Sequence, residues 1–314
     1  MGYHLQAWPR LTAACWLLAA GCGCSIKHVA INKLGNALAS SGSTFEGDDD
    51  PELVAAAIPF GLKLYESLLA ESPKHPGLLL AACTGFTEYA YAFVDLKAEE
   101  AKEENVDKSD ALRERARRLY LRANRYGMRG LESRYPGLGA KLDNDAAAAL
   151  KRVRKPDVPL LYWTAASLGL AVSSSKTDPE MIAQLPLVEM IVQRVAELDE
   201  SFDNGAVPEF LITLEASRSG VKPEEQQKAM RRHFDRAIEI SHGKRAGTYV
   251  SFAEKACVPA QNVAEFKVML GKALAIDVDS DPPNRLANTL AQRRAKWLLS
   301  HVHNLFLESA PPAQ

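Results

Sequence analysis

The sequence predicts an all-α fold built from antiparallel helical hairpins. Apolar residues recur at helical spacing along most of the 314 residues, for example at Leu112, Ala116, Leu119 and Ala123. Ala, Leu, Glu, Lys and Arg are common, which favours helix. No sustained polar–apolar alternation bounded by turn residues indicates strands. Because 47% of the residues are hydrophobic, a helical protein of this length can bury a sizeable core.

Start and stop signals divide the chain into successive helices. Residues 50–52 and 178–180, both Asp-Pro-Glu, combine an N-cap, a first-turn proline and an acid at the positive end of the helix dipole. Ser72-Pro73 and the sequence Tyr-Pro-Gly at 135–137 end helices. A charged helix end and loop is expected over 97–110. The predicted helices are 51–72, 76–93, 110–134, 143–153, 160–170, 179–184, 186–199, 206–218, 223–241, 246–257, 261–275 and 284–307.

One pattern recurs along these helices. A helix ends in a short polar turn and a helix rich in small residues follows, as at 69–77, 197–205 and 237–246. Small residues let paired helices approach closely, and examples are Ala81, Ala82, Gly85, Ala165, Ala166 and Gly169. This behaviour is typical of degenerate tetratricopeptide-like repeats. We therefore predict irregular tetratricopeptide-like helical hairpins packed as a compact solenoid or bundle.

The N-terminus resembles a bacterial lipoprotein signal peptide. Arg10 precedes an apolar run over 11–20, which is shorter than the roughly 20 residues needed to span a bilayer. Small residues follow, with Cys22 and Cys24 as alternative acylation sites; an ordinary secretory signal is the other interpretation. The prediction is a signal peptide with lipobox over 1–23 and a single all-helical domain over 24–314, with a short tether over about 24–50. The absence of an acid directly after either cysteine favours the outer membrane.

Composition and motifs argue against several function classes. The net charge is −1, so no nucleic-acid partner is expected. No phosphate-binding glycine loop, H-E-x-x-H or C-x-x-C motif occurs. We therefore predict a protein that is not an enzyme, without cofactor or metal. Two buried thiols are expected at Cys83 and Cys257, with a disulfide between them as the alternative.

Aromatic side chains supply candidate ligand contacts. Three of them recur at spacings of three and four on the second predicted helix, and two more begin the helix over 160–170. Core packing is the alternative role for these rings, whereas an apolar pocket would also need nearby charged side chains as polar handles. The candidate ligand-lining residues are Lys63, Glu66, Phe86, Glu88, Tyr89, Phe93, Tyr162 and Trp163.

Arginines are concentrated over 113–129, mostly off the apolar face of the helix predicted there. Three interpretations remain open from the sequence: a surface for an acidic partner, a surface for lipid headgroups, or a solvated helix face.

Several segments together resemble one family. They are 23–26, 48–53, 58–63, 66–69, 77–80 and 85–93, followed later by 160–163 and 197–202. These segments look like the T component (TatT) of TRAP transporters, the tripartite ATP-independent periplasmic transporters. Members are tetratricopeptide-repeat lipoproteins, and in them Cys24 would align with the acylated cysteine; Cys22 remains the alternative.

The resemblance implies properties that the residues alone do not show. It implies an all-helical protomer with a pore or cleft, which makes the ligand-lining candidates above candidate pore-lining residues. It also implies oligomers that associate with the transporter's periplasmic substrate-binding protein, and a small apolar or organic ligand. The expected function is therefore a periplasm-facing lipoprotein accessory component of a TRAP transporter. The alternative is a tetratricopeptide-like envelope scaffold for protein interactions in outer-membrane assembly.

Overall fold

A computed structural model describes residues 32–38, 42–175, 177–218 and 220–307. Within these ranges the chain is almost entirely helical and contains no β-strand, which confirms the all-α prediction. Cys22, Cys24 and the rest of the predicted signal peptide lie outside the described residues. Part of the segment expected as a tether is helical, over 32–38 and Gly42–Glu46.

The principal helices follow the predicted start signals. The Asp50 carboxylate accepts hydrogen bonds from the backbone N–H groups of Glu52 and Leu53, and Asp178 caps the short helix Pro179–Ile182 in the same way. The helices are α1 (Pro51–Glu71), α2 (Pro76–Ala90), α3 (Val106–Arg134), α4 (Leu138–Leu150), α5 (Val158–Ser173), α6 (Leu185–Asp199), α7 (Ala206–Ser217), α8 (Pro223–Ser241), α9 (Ala246–Phe252), α10 (Val263–Leu274) and α11 (Arg285–Ser300).

Three predicted boundaries differ from those observed. The long helix α3 begins at Val106 rather than near 110, because the Asn105 side chain caps it by accepting from the Lys108 N–H. Helix α4 covers Leu138–Leu150 rather than 143–153, and follows Gly137 at a φ of +76°. The last helix is not continuous over 284–307, since the backbone leaves the helical conformation at His301.

Two helices continue through π-helical turns. Helix α2 runs without a break through the π turn Tyr91–Asp95 into Leu96–Ala101, and α9 runs into the π turn Ala253–Cys257. A π turn inserts one residue into the helical repeat, so it rotates the following side chains to a new face. Both π turns border the interior described below.

Neighbouring helices pack as successive antiparallel pairs. Helix α2 packs between α1 and α3, α5 packs between α3 and α6, and α7 pairs with α8 before α9, α10 and α11 complete the array. Small residues permit this packing, as the sequence predicted. A Cβ atom on Gly85 would lie 2.9 Å from Leu62 Cδ2, and one on Gly169 would lie 2.9 Å from Phe210 Cζ.

The array returns to its own beginning. Helix α11 contacts both α1 and the short helix Gly42–Glu46. Arg293 forms a bidentate salt bridge with Glu52, and Arg285 Nη1 donates to the Gly47 carbonyl at 3.2 Å. The helical hairpins therefore form a closed ring rather than an open solenoid.

Separate apolar clusters hold the parts of this ring together. One joins α1, α2 and α3; a second joins α3 through α7; a third joins α7 through α11. Helices α1 and Pro76–Ala101 are long and apolar enough to cross a membrane, by length and composition alone. Both contribute buried side chains to the first apolar cluster.

Candidate functional site

The interior of the ring contains side chains that water can reach but that lie deep within the protein. The Glu88 side chain on α2 is accessible to water, yet burial deep in the protein raises the pKa of its carboxyl to about 8. The carboxylates of Glu46 and Asp203 raise that pKa further, whereas Arg245 lowers it. These groups belong to distant parts of the chain. Glu88 is thus accessible to water while charged groups from both halves of the ring surround it, and we call this region between the helices the central cavity.

Tyr91, one turn after Glu88, is likewise accessible to water although its hydroxyl lies deep within the protein. It is 44% exposed, but burial raises the pKa of its hydroxyl, the nearby carboxylate of Glu254 raises it further and the cation of Arg294 lowers it. Tyr91 and Glu254 belong to the two π turns. The two π turns therefore lie close enough for Glu254 to act on the hydroxyl of Tyr91.

Arg245, which is largely buried, organises one wall of the cavity. We call this wall, formed by Arg245, Glu209, Asp203 and Thr248, the polar wall. Arg245 Nε lies 3.2 Å from Glu209 Oε2, and its Nη1 donates to both the carbonyl and the Oδ2 of Asp203, at 3.0 and 3.2 Å. Thr248 donates to the same Glu209 oxygen at 2.7 Å. Burial lowers the pKa of Arg245, but Glu209 and Asp203 raise it more, so the guanidinium stays charged.

The turn before α7 places Asp203 in this wall. Asp203 and Asn204 have φ values of +46° and +50°, followed by Gly205 at +97°. Such consecutive left-handed residues make a tight turn, which aims the Asp203 carboxylate at Arg245. Burial raises the pKa of Asp203, and Arg245 partly offsets that effect.

A second arginine lies behind Tyr91. Arg294 on α11 binds Glu254 Oε1 through Nη2 at 2.6 Å, and its guanidinium sits 4.4 Å from the centre of the Trp297 ring. Its Nη1 is buried and has no hydrogen-bond partner within the described ranges. Buried donors are usually paired, so this nitrogen is an exception to the general pattern.

An aromatic group borders the same space. The Tyr162 ring lies 5.2 Å from Trp163, 5.1 Å from Phe202 and 6.1 Å from Phe210, measured between centroids. Burial raises the pKa of its hydroxyl, and the charges of Arg245, Glu209, Asp203 and Glu88 reach it as well. The Tyr162 hydroxyl therefore lies between an aromatic cluster and the polar wall.

The predicted ligand-lining residues fall into separate places. Glu88 and Tyr162 come together at the central cavity. Lys63 and Glu66 form a salt bridge of 2.7 Å on α1, away from those two residues. Phe86 is buried against Tyr126 of α3, with stacked rings 5.9 Å apart.

The remaining predicted residues are half-buried aromatics. Tyr89 and Phe93 pack on each other with ring centroids 5.9 Å apart, and the Tyr89 hydroxyl accepts a long hydrogen bond from Arg115 at 3.4 Å. Trp163 packs edge-on against Tyr162. Contact of any of these residues with a ligand stays a prediction.

Sequence reasoning missed most of the polar wall. Tyr91 follows Glu88 at a spacing of three, so these two residues were readable as one polar face beside the aromatic one. No local sequence pattern identifies Asp203, Glu209, Arg245 and Arg294, because these residues come together only when the ring closes.

The fold and the cavity define a class: a helical-repeat protein whose hairpins close around a polar and aromatic interior. The model of the family described as TRAP transporter T-component matches residues 47–306. The chain therefore belongs to the T-component family of TRAP transporters.

A relative supports the assignment over nearly the full length. An uncharacterized protein of Treponema pallidum (strain Nichols) is 31% identical, in a match that covers 94% of this chain and 96% of that protein. Membership of this family indicates a non-catalytic accessory role in transport, and a location in the bacterial cell envelope.

Proposed function

We propose that this chain is a periplasm-facing lipoprotein that binds the substrate-binding protein of its TRAP transporter and holds a small organic ligand in the central cavity. Acylation at Cys24, or alternatively at Cys22, anchors the protein to the outer membrane. The proposal rests on the family and on one structural observation: Glu88 and Tyr91 are water-accessible inside a closed ring.

The chemistry of the cavity suits a ligand with an apolar body and one polar end. With a pKa of about 8, Glu88 is largely protonated at neutral pH, so it neither repels a carboxylate nor imposes the desolvation cost of a buried charge. The aromatic cluster around Tyr162 supplies apolar surface. A single charged or hydrogen-bonding group on the ligand then meets the polar wall.

Native mass spectrometry of the mature chain tests the ligand and the partner together. We expect a complex with the transporter's substrate-binding protein and a small-molecule adduct on the wild-type chain. Tyr91→Trp fills the space beside an already exposed side chain, so the adduct should be lost while the complex remains. Val268→Trp is the matched control, since Val268 is 54% exposed on α10 and shares its face with the exposed Lys272.

Two outcomes would contradict the proposal. Absence of both adduct and complex removes the transport role. Recovery of other envelope proteins in place of the substrate-binding protein favours the scaffold alternative. The anchor is tested separately by mass analysis of the N-terminal peptide in wild type, Cys24→Ser and Cys22→Ser, where one substitution should abolish acylation.

A further inference from the structure

A straight row of arginines follows the outer side of α3. Its members are spaced by three, four, three and four residues, so they share one helical face and extend over about 21 Å. We call this set the Arg row, and it consists of Arg115, Arg118, Arg122, Arg125 and Arg129.

Most of the positive charge of the Arg row is not neutralised. Of the five arginines in the row, only Arg122 forms a salt bridge with a described residue, which is Glu66. The Arg115 and Arg129 side chains lie over the rings of Tyr89 and Tyr126.

Arg118 and Arg125 make no hydrogen bond or salt bridge with any described residue and are exposed. The nearest acid to Arg118 is Glu114, whose pKa it helps to lower, but Glu114 is itself salt-bridged to Arg117. A surface cleft of about 400 Å³ runs between four members of the row, with Leu119 and Leu121 in its walls. Four guanidinium groups around such a cleft fit an anionic headgroup.

An apolar stripe lies beside the Arg row. Leu53, Ala56, Ala57 and Phe60 are exposed at helical spacing on α1, and Phe60 is 76% exposed. We call these four residues the α1 stripe. A folded protein rarely leaves a phenylalanine so exposed within a contiguous apolar stripe without a contact for it.

The α1 stripe and the Arg row belong to one surface. Arg122 reaches Glu66, and Arg129 Nη2 donates to the carbonyl of Pro73 just after α1, at 3.1 Å. Because both pairs progress in the same direction along the chain, α1 and α3 run parallel. At 1.5 Å per residue, Phe60 is then roughly level with the beginning of the Arg row.

Few residues separate Cys24, the proposed lipid anchor, from Asn32, the first described residue. Acylation at Cys24 would therefore keep this surface close to the membrane. Asn32 is fixed at the end of α1: its Oδ1 accepts from Ser72 Oγ at 3.0 Å and its carbonyl lies 3.3 Å from His75 Nε2. Only seven residues lie between Cys24 and Asn32, and the eight residue-to-residue steps reach at most about 28 Å when fully extended.

We propose that the outer face of α1 and α3 rests on the bilayer: the Arg row binds anionic phospholipid headgroups and the α1 stripe enters the headgroup boundary. Basic side chains beside exposed apolar ones are the pattern of proteins that bind membrane interfaces. This inference goes beyond the transport role and does not depend on the central cavity, but it rests on the proposed acylation at Cys24. An acidic protein partner would explain the Arg row but leaves the α1 stripe and the short connection to Cys24 unexplained.

The test uses the mature acylated chain in nanodiscs of phosphatidylethanolamine and phosphatidylglycerol, with phosphatidylcholine nanodiscs for comparison. Phe60→Cys and, as control, Val268→Cys carry an environment-sensitive fluorophore; Cys83 and Cys257 are buried and do not compete for it. We expect lipid-borne spin labels to quench the probe at 60 in the anionic nanodiscs and not the probe at 268.

A charge variant tests the Arg row. R118Q/R125Q removes two arginines without partners, so folding is unaffected, and it lowers the docking equilibrium about 30-fold, equivalent to about 1 kcal/mol per arginine. R118K/R125K should retain docking.

The inference is overturned by an unquenched probe at 60, by equal quenching at 60 and 268, or by an R118Q/R125Q variant that docks like wild type. Protection of position 60 that requires added substrate-binding protein identifies a protein interface and also overturns it. Loss of that protein's binding with docking intact contradicts only the proposed function.

Discussion

The Glu66 carboxylate accepts two hydrogen bonds from Arg122, to Oε1 at 2.5 Å and to Oε2 at 2.6 Å, and so connects the first helix directly to the third. Tyr126 donates to the same carboxylate at 2.6 Å, while its ring stacks on Phe86. Burial raises the pKa of Glu66, but the hydrogen bonds from Lys63, Tyr126 and Arg122 lower it more, and the net shift is downward.

Glu66→Gln should lower the free energy of unfolding at pH 7 by about 1–2 kcal/mol, because charge-assisted bonds to a mostly buried carboxylate are lost. The folded-state pKa of Glu66 lies below its unfolded value. Its stabilisation is therefore complete above the unfolded pKa and is lost as the pH falls through the folded pKa. Urea unfolding from pH 7 to pH 3 should show the two proteins converging in acid. Lys63→Gln, at an exposed position, should have little effect.

Gly127→Ala should be destabilising by about 1–3 kcal/mol, because the added methyl group has no room. Its Cβ would lie 2.9 Å from Cys83 Sγ and would also clash with the hydroxyl of Thr164, at the point where α2, α3 and α5 meet. Gly271→Ala is the matched control. Gly271 lies within α10 with no atom within 4 Å of the added Cβ, so alanine should stabilise by about 0.5–1 kcal/mol. Equal effects of the two substitutions on chemical denaturation would contradict the packing described for α3.

Glu88→Gln should make stability less dependent on pH between about 5 and 8. The folded-state pKa of Glu88 is raised to about 8, so the folded state retains a proton that the unfolded state releases near pH 4.5. The contribution of Glu88 to the free energy of unfolding is therefore most favourable in acid and is lost as the pH rises towards 8. Melting temperatures across this range should fall less for Glu88→Gln than for wild type. Glu100→Gln, at an exposed position on the extension of α2, should reproduce the wild-type profile.

Cys83 and Cys257 should resist alkylation in the folded protein. Both are free and buried, and burial raises the pKa of each thiol to about 12, so almost no thiolate exists at neutral pH. Peptide mass mapping after treatment with iodoacetamide at pH 7.5 should find both unmodified, and both modified in denaturant. Rapid modification of Cys257 alone would indicate local opening of its π turn.

The helical framework was predictable because its signals are local. Asp50 and Asp178 cap helices where the sequence placed them, and Gly85 and Gly169 mark close helix contacts. The boundary errors also have local causes. Asn105 starts α3 one turn earlier than the apolar pattern suggested, because the capping amide precedes a charged first turn.

The central cavity was predictable only in part. Glu88 and Tyr162 were selected for their residue types, and in the structure the charge of Glu88 acts on the Tyr162 hydroxyl, while their contact with a ligand stays a prediction. Burial is the main cause of the high pKa of Glu88, and two charged groups that modify this pKa, Asp203 upward and Arg245 downward, lie more than 100 residues away in the chain. The π turn that begins at Tyr91 has no sequence signal in the 3.6-residue period, so the directions of the side chains that follow it could not be read from spacing.

The salt bridge between Arg293 and Glu52 constrains how this family can change in length. An open array gains or loses a unit at its terminus with little disturbance, since only one neighbour is affected. Here an additional hairpin would force the first and last helices apart. The number of hairpins is thereby fixed by geometry, which agrees with a relative whose match covers 96% of its own length at only 31% identity.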